Sequence, residues 1–572
     1  MLSSPAQKTA LRFYSDVRWS ELGFQMPESI VPWYIDAVIY GVDVEKFADG
    51  NGDGIGDFVG LTEKLPYLSA LGITCIWLLP FYGSPDRDNG YDVSDFYAIN
   101  PKVGTRRDFL KFLHRAGEQG MRVIIDLVVN HTSNEHPWFE AARRDHQTRY
   151  REYYVWSTDP PPIEVGATSI FPDEESKLWT YDELAGAYYF HKFYHFQPEL
   201  NIANPQVREE IERVVDYWLA FGISGFRLDA APLIIGDNGL ERANPRDPHG
   251  VLRDLGGYLQ KRRPGGVLLG EVNLDPTEMS LYFGEGDQLG LLFNFMLSCY
   301  IFAAMAKKEA APIYEALSLL PEPPVLCGWA NFLRNLDDLD FSRVPPELKD
   351  VVFKTFAPDE NMQVFGRGIR RRLAPMLDGD QRRIELAFSI ILSLRGPPLF
   401  VYGDEIGMGE DLSQEGRNAI RAPMQWSAER NGGFSNAKAE TICQPPISQG
   451  PFSYKHVNVE SQQTDPNSLL SCIKQLITYR RQNPIFSQGR FVRLTADHPA
   501  ILAYGFEDAG SVLLVVHNLA EQSVAVEVSL DAVHCERLQD MASGDIHEAS
   551  TKLNIKIAPY GYRWLASKKE AG

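Results

Sequence analysis

The sequence predicts an α/β fold, a (β/α)8 TIM barrel with an inserted subdomain after strand 3 and a C-terminal antiparallel β-sandwich. Eight short apolar runs recur along the chain, each followed by a polar or helical stretch. Runs this apolar are typical of strands buried on both faces, as in a parallel sheet covered by helices. Eight of them alternating with helices favour a closed barrel. A doubly wound open sheet is the alternative, weakened because no glycine-rich dinucleotide-binding turn follows the first run.

The predicted barrel strands follow one another from near the N-terminus to about residue 405. They are 36–42, 74–80, 122–129, 225–231, 267–274, 289–295, 329–335 and 398–405. Amphipathic segments at 105–120 and 205–222 lie between them and have the composition of helices that cover a barrel.

Two departures from even spacing define the other domains. About 70 residues rich in Trp, Tyr, Pro and Asp separate the third strand from the helix at 205–222, too many for an ordinary barrel loop. Beyond about residue 487 short alternating strands such as "ILAYGFE" and "SVAVEVSL" indicate a sandwich. We therefore predict a barrel from 1–133 and 205–486, an inserted subdomain at 134–204 and a sandwich at 487–572.

Bulk composition excludes several classes of function. The 572 residues carry a net charge of −20, and 44% are hydrophobic. An acidic chain is poorly suited to nucleic acid or to anionic membrane surfaces, so neither is expected as a partner. The six cysteines are scattered without a CxxC pair, which argues against a disulfide framework or zinc cluster. Residues 1–19 lack the apolar core of a secretory signal and no run of 18 apolar residues occurs, so we expect a cytoplasmic protein.

The stretch "DGNGDGIGDF" at 49–58 is similar to the calcium loop of an EF-hand. Asp49, Asn51 and Asp53 alternate, and Asp57 occupies the ninth position. The twelfth position, however, is Gly60, where an EF-hand has a bidentate glutamate. From these residues alone a calcium sensor, a structural ion site and a simple Asx-rich turn all remain open.

Polar residues at the ends of predicted strands mark the candidate active site, because barrel enzymes gather their chemistry there. The third strand offers Asp126 and His131, the fourth Arg227 and Asp229, the fifth Glu271 and the seventh Asp337. Arg227 and Asp229 are two residues apart on a strand and so point to one face. A neighbouring guanidinium lowers the pKa of a carboxyl, whereas an apolar setting such as "VLLG" before Glu271 raises it. An ionised acid facing a protonated one is the smallest set of side chains that retaining glycoside hydrolysis needs.

Four segments carry a family resemblance. "DLVVNHTS", "GFRLDAAP", "GEVNL" and "FLRNLDD" resemble the signature segments of the α-amylase family, glycoside hydrolase family 13. "VYGDEIGMG" and "IRAPMQWSAERNGGFS" are similar to the trehalose synthases and oligo-1,6-glucosidases of that family. The resemblance extends from about residue 33 to residue 435.

The resemblance implies roles for the site residues. Asp229 would be the nucleophile that forms a covalent glucosyl-enzyme, Glu271 the general acid and then base, and Asp337 the third acid, which stabilises the transition state. In the substrate pocket, Arg227 would hold the nucleophile, Tyr91 would stack on the sugar, and His131 and Asp126 would line the wall. Asp92 and Arg421 would close the pocket at the non-reducing end.

The resemblance also implies a structural Ca²⁺ in the Asp49–Asp57 loop, and no organic cofactor. Asp49, Asn51, Asp53 and Asp57 would supply side-chain ligands and Ile55 its carbonyl, a set of hard oxygen donors that suits Ca²⁺.

Two departures from the family pattern bear on specificity. Leu336 stands where the family has a histidine that donates to a sugar hydroxyl, and Val272–Asn273 replace the residues that trehalose synthases have after the acid.

The function predicted is retaining action on short α-glucosides, with maltose–trehalose interconversion and side hydrolysis. An α-glucosidase or oligo-1,6-glucosidase-type hydrolase or transglucosidase is the alternative, and an inactive sugar-binding relative is the competitor from another class. Small sugars such as maltose and trehalose are the expected partners, and assembly into a homo-oligomer is left open.

Overall fold

Eight short parallel strands close into a barrel in the computed structural model, which describes residues 31–159, 169–236 and 247–567. The strands are β1 Ile39–Val42, β2 Cys75–Leu78, β3 Arg122–Leu127, β4 Gly225–Leu228, β5 Val267–Gly270, β6 Leu291–Phe293, β7 Gly328–Phe332 and β8 Pro398–Val401. Each pairs with its neighbours in sequence, and β8 returns to pair with β1. The predicted TIM barrel is confirmed, with a strand at each of the eight predicted positions.

Helices cover the outside of the barrel because their apolar faces pack on it. In the helix Arg106–Glu118, Phe109 and Phe112 are buried, and a capping box of Thr105 and Asp108 fixes its start. The α-helices of the described residues are Val44–Phe47, Phe58–Leu71, Arg106–Glu118, Pro137–Arg144, Pro205–Leu219, Ala231–Gly236, Gly250–Arg262, Pro276–Met279, Phe295–Lys307, Ala311–Leu319, Pro346–Phe356, Leu373–Met376, Gln381–Ser393, Val459–Gln463, Leu469–Gln482 and Ile485–Gln488. None of these is long and apolar enough to cross a membrane. Residues 1–19, on which the prediction about a secretory signal rests, lie outside the described residues.

The predicted insertion after β3 contains a small antiparallel sheet of its own. Trp156–Ser157 and Trp179–Asp182 flank the central strand Ala187–Phe190. Shortly after that strand the chain reaches the cavity described below, which Lys192 and Phe193 line. The insertion therefore contributes one wall of the candidate site.

Two antiparallel sheets form the C-terminal part, as predicted. The larger contains Arg490–Arg493, Ile501–Asp508, Ser511–Asn518, Tyr562–Ser567, Arg537–Asp540 and Ile546–Glu548, and the smaller contains Thr495–Ala496, Val524–Ser529 and Lys552–Ile557. Apolar side chains of both sheets share one core. On the barrel helix Gln381–Ser393, the Ser389 hydroxyl accepts a 2.9 Å hydrogen bond from Trp564 and lies 2.9 Å from a His517 ring nitrogen. Buried polar contacts thus join sandwich and barrel.

Candidate active site

Arg227 joins three carboxyl groups at the carboxyl end of the barrel. It lies on β4 directly beside Asp126 of β3, because the register pairs these two residues. Its Nη1 is 2.5 Å from Asp126 Oδ1 and 2.5 Å from Asp229 Oδ1, and its Nη2 is 2.9 Å from Glu271 Oε2. The guanidinium, 3% exposed, therefore holds Asp229 and Glu271 as neighbours.

Backbone hydrogen bonds of the barrel place these two acids at the strand ends. The Asp229 N–H donates to Leu127 O at 3.2 Å and the Glu271 N–H to Leu228 O at 3.1 Å, so each residue continues its strand by one position. Ala230 then adopts a φ of 44°, in the left-handed region that non-glycine residues rarely enter. In this conformation its N–H donates to Glu271 Oε2 at 3.0 Å. A strained turn next to Asp229 is typical of a functional site.

Three arginines surround the third acid, Asp337. Its Oδ1 accepts hydrogen bonds from Arg417 Nη1 at 2.6 Å and from Arg421 Nη2 at 2.9 Å. The buried Arg334 donates from Nη2 to the Asp337 carbonyl at 3.0 Å, which fixes the backbone of the loop. The side chain and the main chain of Asp337 are therefore held independently.

A cavity of about 500 Å³ opens over these acids. Asp229, Glu271 and Asp337 line it, together with Tyr91 and His131. This volume suits a ligand of disaccharide size, since small-molecule pockets are commonly about 300–1,000 Å³. The His131 ring nitrogen Nε2 is 3.2 Å from the Tyr91 main-chain carbonyl, so the imidazole is positioned against the backbone of Tyr91.

Asp88 and Arg417 form a second ion pair in the cavity wall. Arg417 Nη2 donates to Asp88 Oδ1, and Gln197 Nε2 donates to Asp88 Oδ2 at 3.0 Å. Because Arg417 also contacts Asp337, one guanidinium links this pair to the third acid of the cavity. Neither Asp88 nor Arg417 was predicted from the sequence to be a site residue. The available signal was the position of Asp88, three residues before Tyr91 in "DNGYD".

Burial and arginine contacts shift the pKa values of Glu271 and Asp337 in opposite directions. Burial raises the pKa of Glu271, Arg227 lowers it, and Asp229 raises it further. For Asp337 burial again raises the pKa, but Arg417 and Arg421 outweigh it and lower the value to about 2. Burial also lowers the pKa of His131 to about 4, so its imidazole is neutral near pH 7. The cavity thus holds an acid with a lowered pKa, Asp337, together with one whose pKa is raised, Glu271.

The pKa of Asp229 differs from the sequence-based expectation. Burial raises the pKa of this carboxyl, although Arg227 acts in the expected direction and lowers it. The sequence identified the arginine but gave no measure of how completely the strand end is enclosed. Asp229 and Glu271 therefore titrate as an interacting pair.

Asp126 occupies a different position from the predicted one. It is fully buried behind Arg227 and does not line the cavity. Trp77 Nε1 donates to its Oδ2 at 3.0 Å, and burial raises its pKa to about 7 against the lowering effect of Arg227. Asp126 is therefore placed to hold Arg227 and not to contact a ligand in the cavity.

Asp92 and Arg421 also lie behind the cavity wall instead of closing it. Ser84 Oγ donates to Asp92 Oδ1 at 2.9 Å and Arg87 Nε to Asp92 Oδ2 at 3.2 Å, so the carboxylate holds its own loop together. Arg421 is fully buried and donates from Nε to the Leu336 carbonyl at 2.8 Å. The structure places Asp88 and Arg417 in the cavity wall where the sequence analysis expected Asp92 and Arg421.

A polar cluster forms the rim near Glu271. Asn273 Nδ2 donates to Asp340 Oδ2 at 3.0 Å, and Arg367 Nε is 3.4 Å from the same oxygen. These three side chains line the cavity, whereas Leu336 is 1% exposed and does not. Of the two residues that depart from the family pattern after Glu271, Asn273 therefore lines the cavity, whereas Val272 is buried and does not.

The loop Asp49–Asp57 lies outside the cavity lining and binds its own backbone. Asp49 Oδ1 accepts from the Gly52 N–H at 2.6 Å, and Asn51 Oδ1 accepts from the Asp53 N–H at 2.9 Å. Asp57 caps the helix Phe58–Leu71 through the Gly60 N–H at 2.7 Å. Its oxygen donors are chemically suited to Ca²⁺. The described part of the chain, however, has no group of three or more His, Cys, Asp or Glu side chains arranged to hold a metal ion.

Two family models match the chain. The model described as "Alpha amylase, catalytic domain" matches residues 42–320 and 353–489. The model described as "Maltogenic Amylase, C-terminal domain" matches residues 491–564. The first match covers most of the barrel but omits 321–352, which contains β7 and Asp337, and the second covers most of the sandwich.

Similar proteins include trehalose synthases. The trehalose synthase of Thermus thermophilus is 43% identical over 539 residues, 94% of this chain, which spans only 56% of that relative's length. The trehalose synthase of Pimelobacter sp. (strain R48) is 42% identical over 93% of this chain and 95% of its own. Among solved structures, the alpha-amylase of H. orenii superposes with a TM-score of 0.74 at 29% identity, covering 93% of this chain and 99% of its own.

Proposed function

Because the chain belongs to the alpha-amylase family of glycoside hydrolases and transglycosylases, we propose that it interconverts maltose and trehalose through a covalent glucosyl-enzyme. The observation that carries this proposal is the contact of Arg227 with both Asp229 and Glu271 at the base of a disaccharide-sized cavity. Identity of 42% to a trehalose synthase over nearly the full length of both chains supports the choice of substrates.

The first half of the proposed reaction transfers glucose to the enzyme. An Asp229 oxygen attacks the anomeric carbon while the bond from that carbon to the glycosidic oxygen breaks. Glu271 gives its proton to the departing oxygen, a role favoured by its raised pKa. The ionised Asp337 stabilises positive charge on the ring in the transition state. Nucleophile and acid held on one guanidinium are neighbours, as a retaining mechanism requires.

The second half decides between isomerisation and hydrolysis. Glu271, now a carboxylate, removes a proton from the acceptor hydroxyl, which attacks the anomeric carbon and releases Asp229. With maltose as substrate, attack by the 1-hydroxyl of the glucose just released gives trehalose. With trehalose as substrate, attack by the 4-hydroxyl of the released glucose gives maltose, and attack by water gives free glucose from either. We assign the acceptor side to the rim cluster of Asn273, Asp340 and Arg367, which lines the cavity. We propose that it retains the released glucose.

Recognition of the transferred glucose belongs to the other end of the cavity. We assign the non-reducing end to Asp88 and Arg417, with Tyr91 and His131 along the ring. A carboxylate–guanidinium pair matches adjacent sugar hydroxyls, because it offers an acceptor and a donor side by side. Action on terminal glucose units follows from this assignment.

Incubation with maltose and, separately, with trehalose tests the proposal. Appearance of the other disaccharide with a minor amount of glucose is the expected result. Glucose alone would favour the hydrolase alternative, and no product from any α-glucoside would favour the inactive sugar-binding protein. Asp229→Asn should abolish either activity, whereas Asp92→Asn, the same substitution outside the cavity, should retain it.

Calcium binding in the loop Asp49–Asp57 is a separate proposal. Its support is the alternation of hard oxygen donors along a glycine-bent loop. An ion there would tie the loop to the start of the helix Phe58–Leu71, and no step of the reaction depends on it.

A further inference from the structure

Lys46 and Cys443 form a contact outside the cavity. Lys46 lies on the short helix Val44–Phe47, which follows β1, and its Nζ donates to Cys443 Sγ at 3.4 Å. The lysine is 7% exposed, whereas the cysteine is exposed to solvent. Among the described residues, no carboxylate forms an ion pair with Lys46. A nearly buried amine is therefore directed at the sulfur atom of a cysteine residue that is exposed to solvent.

Backbone contacts hold both partners in place. The Cys443 N–H donates to Gly54 O at 2.9 Å, and its Sγ lies 3.4 Å from Glu45 O. Lys46 is fixed on the other side, since its N–H donates to Asp43 O at 3.1 Å and its carbonyl accepts from the Met424 N–H at 2.8 Å. Neither backbone is free to separate the amine from the sulfur.

Charges around the amine depend on the state of the sulfur. Burial lowers the pKa of Lys46, but the Cys443 thiolate and the carboxylates of Asp43 and Glu45 outweigh it and raise the value. Burial raises the pKa of the Cys443 thiol and Lys46 lowers it, and oxidation of the thiolate form to a neutral sulfenic acid removes the first of the effects that raise the pKa of Lys46. The amine then loses a proton more readily at the moment when the sulfur becomes electrophilic.

We propose that Lys46 and Cys443 form a covalent sulfur–nitrogen cross-link when hydrogen peroxide oxidises the cysteine. In the first step the thiolate attacks peroxide, takes one oxygen to become a sulfenic acid and releases hydroxide. In the second step the neutral Lys46 amine attacks the sulfur, and the sulfenic oxygen leaves as water with a proton from the nitrogen. The product has one S–N bond and two hydrogen atoms fewer than the two free side chains. A thiol reductant reverses it.

The other five cysteines lack this arrangement. Cys75, Cys299 and Cys327 are buried. Cys472 is partly exposed, but its sulfur lies 3.2 Å from the Tyr562 hydroxyl instead of an amine. Cys535 is also partly exposed and serves as an internal reference for thiol oxidation.

Peptide mapping of the full chain after peroxide treatment tests the proposal. We expect a cross-linked peptide pair that contains Lys46 and Cys443, that lacks two hydrogen atoms and that disappears on addition of dithiothreitol. Lys46→Arg keeps the positive charge without a nucleophilic amine, so its Cys443 should proceed to sulfinic acid. Cys443→Ser should give no cross-link, and both variants should retain the wild-type thermal midpoint within a few degrees before oxidation.

Two results would overturn the proposal. One is accumulation of Cys443 sulfinic acid in the wild type to the same extent as in Lys46→Arg. The other is a Cys443 that remains reduced under peroxide while Cys535 is oxidised. Both results are read from the masses of peptides and do not depend on sugar turnover. Failure of the proposed function would therefore leave them unaffected.

Discussion

Arg417 donates to the Asp88 carboxylate, and this ion pair lies in the wall of the same cavity as the catalytic acids. The other terminal nitrogen of Arg417 contacts Asp337 at 2.6 Å. The arginine that we assign to the sugar end therefore also positions Asp337, which we propose stabilises the transition state. Four predictions follow from this arrangement and from the features around it.

Asp88→Asn should weaken recognition of the terminal glucose. The amide keeps the shape but loses a charged acceptor, and hydrogen bonds to charged groups contribute about 1.5–3 kcal/mol. We expect kcat/KM on maltose to fall roughly tenfold to hundredfold, at about 1.4 kcal/mol per tenfold. Asp92→Asn is the matched control and should lower the thermal midpoint with kcat/KM retained. A lower kcat/KM for Asp92→Asn, with kcat/KM retained in Asp88→Asn, would assign recognition of the terminal glucose to Asp92.

Leu336→His should raise kcat/KM on maltose or trehalose. Leu336 itself is buried outside the cavity lining, but its neighbours Asn335 and Asp337 line it. We expect the longer imidazole to reach the cavity and to add a donor that leucine lacks. Pairing a hydroxyl that would otherwise be unsatisfied recovers about 1–3 kcal/mol, so roughly tenfold is expected. Leu336→Met controls for the change in side-chain shape and should leave the rate unchanged. An unchanged or lower value for the histidine variant would count against the idea.

Chelation should lower the thermal midpoint if the Asp49–Asp57 loop binds Ca²⁺. Asp53→Asn should remove the difference between chelated and calcium-saturated samples, because it takes away one ligand charge. Asp57→Ala should lower the midpoint under both conditions, since Asp57 also caps the helix Phe58–Leu71, and losing a helix cap costs about 1 kcal/mol. Identical thermal midpoints of the wild type with and without chelator would indicate that the loop is an Asx-rich turn that binds no stabilising ion.

The dependence of kcat/KM on pH should be bell-shaped. Activity is lost as pH falls and Asp229 gains a proton, and it is lost as pH rises and Glu271, whose pKa burial raises, loses its own. Asp337, with a pKa of about 2, should contribute no limb above pH 4. Glu271→Gln should abolish the alkaline limb on an aryl α-glucoside, whose leaving group needs no proton.

Asp338 provides the control for the assignment of the alkaline limb to Glu271. It also lines the cavity, and burial raises its pKa to about 6 despite the lowering effect of Arg367. Asp338→Asn should therefore leave the alkaline limb of the wild type in place. Displacement of the limb in this variant would assign it to Asp338 instead of Glu271.

The barrel was predictable because its strands are short apolar runs buried on both faces. β4, for example, falls within the predicted run at 225–231, and Asp229 follows it directly. The contact between Arg227 and Asp229 was predictable from the alternation of side chains along a strand. Local pattern therefore determined these parts of the site.

Which loop residues line the cavity was less predictable, because the hydrogen bonds within a loop follow no periodic pattern in the sequence. Asp88 and Asp92 are the same residue type, four positions apart, on either side of Tyr91. The loop uses both oxygens of Asp92 for its own backbone and side chains and leaves Asp88 to pair with Arg417. Likewise, the pKa of Asp229 depends on enclosure by distant segments, which composition does not report.

The hydrogen bonds of Ser389 with His517 and Trp564 have a consequence for protein engineering. A module attached by a free linker can be trimmed or exchanged without harm to its neighbour. Here removal of the sandwich would strip the helix Gln381–Ser393 of a packed surface and expose a hydroxyl that is now enclosed. Shortened versions of this enzyme should therefore retain the C-terminal sheets, and chimeras should exchange barrel and sandwich together.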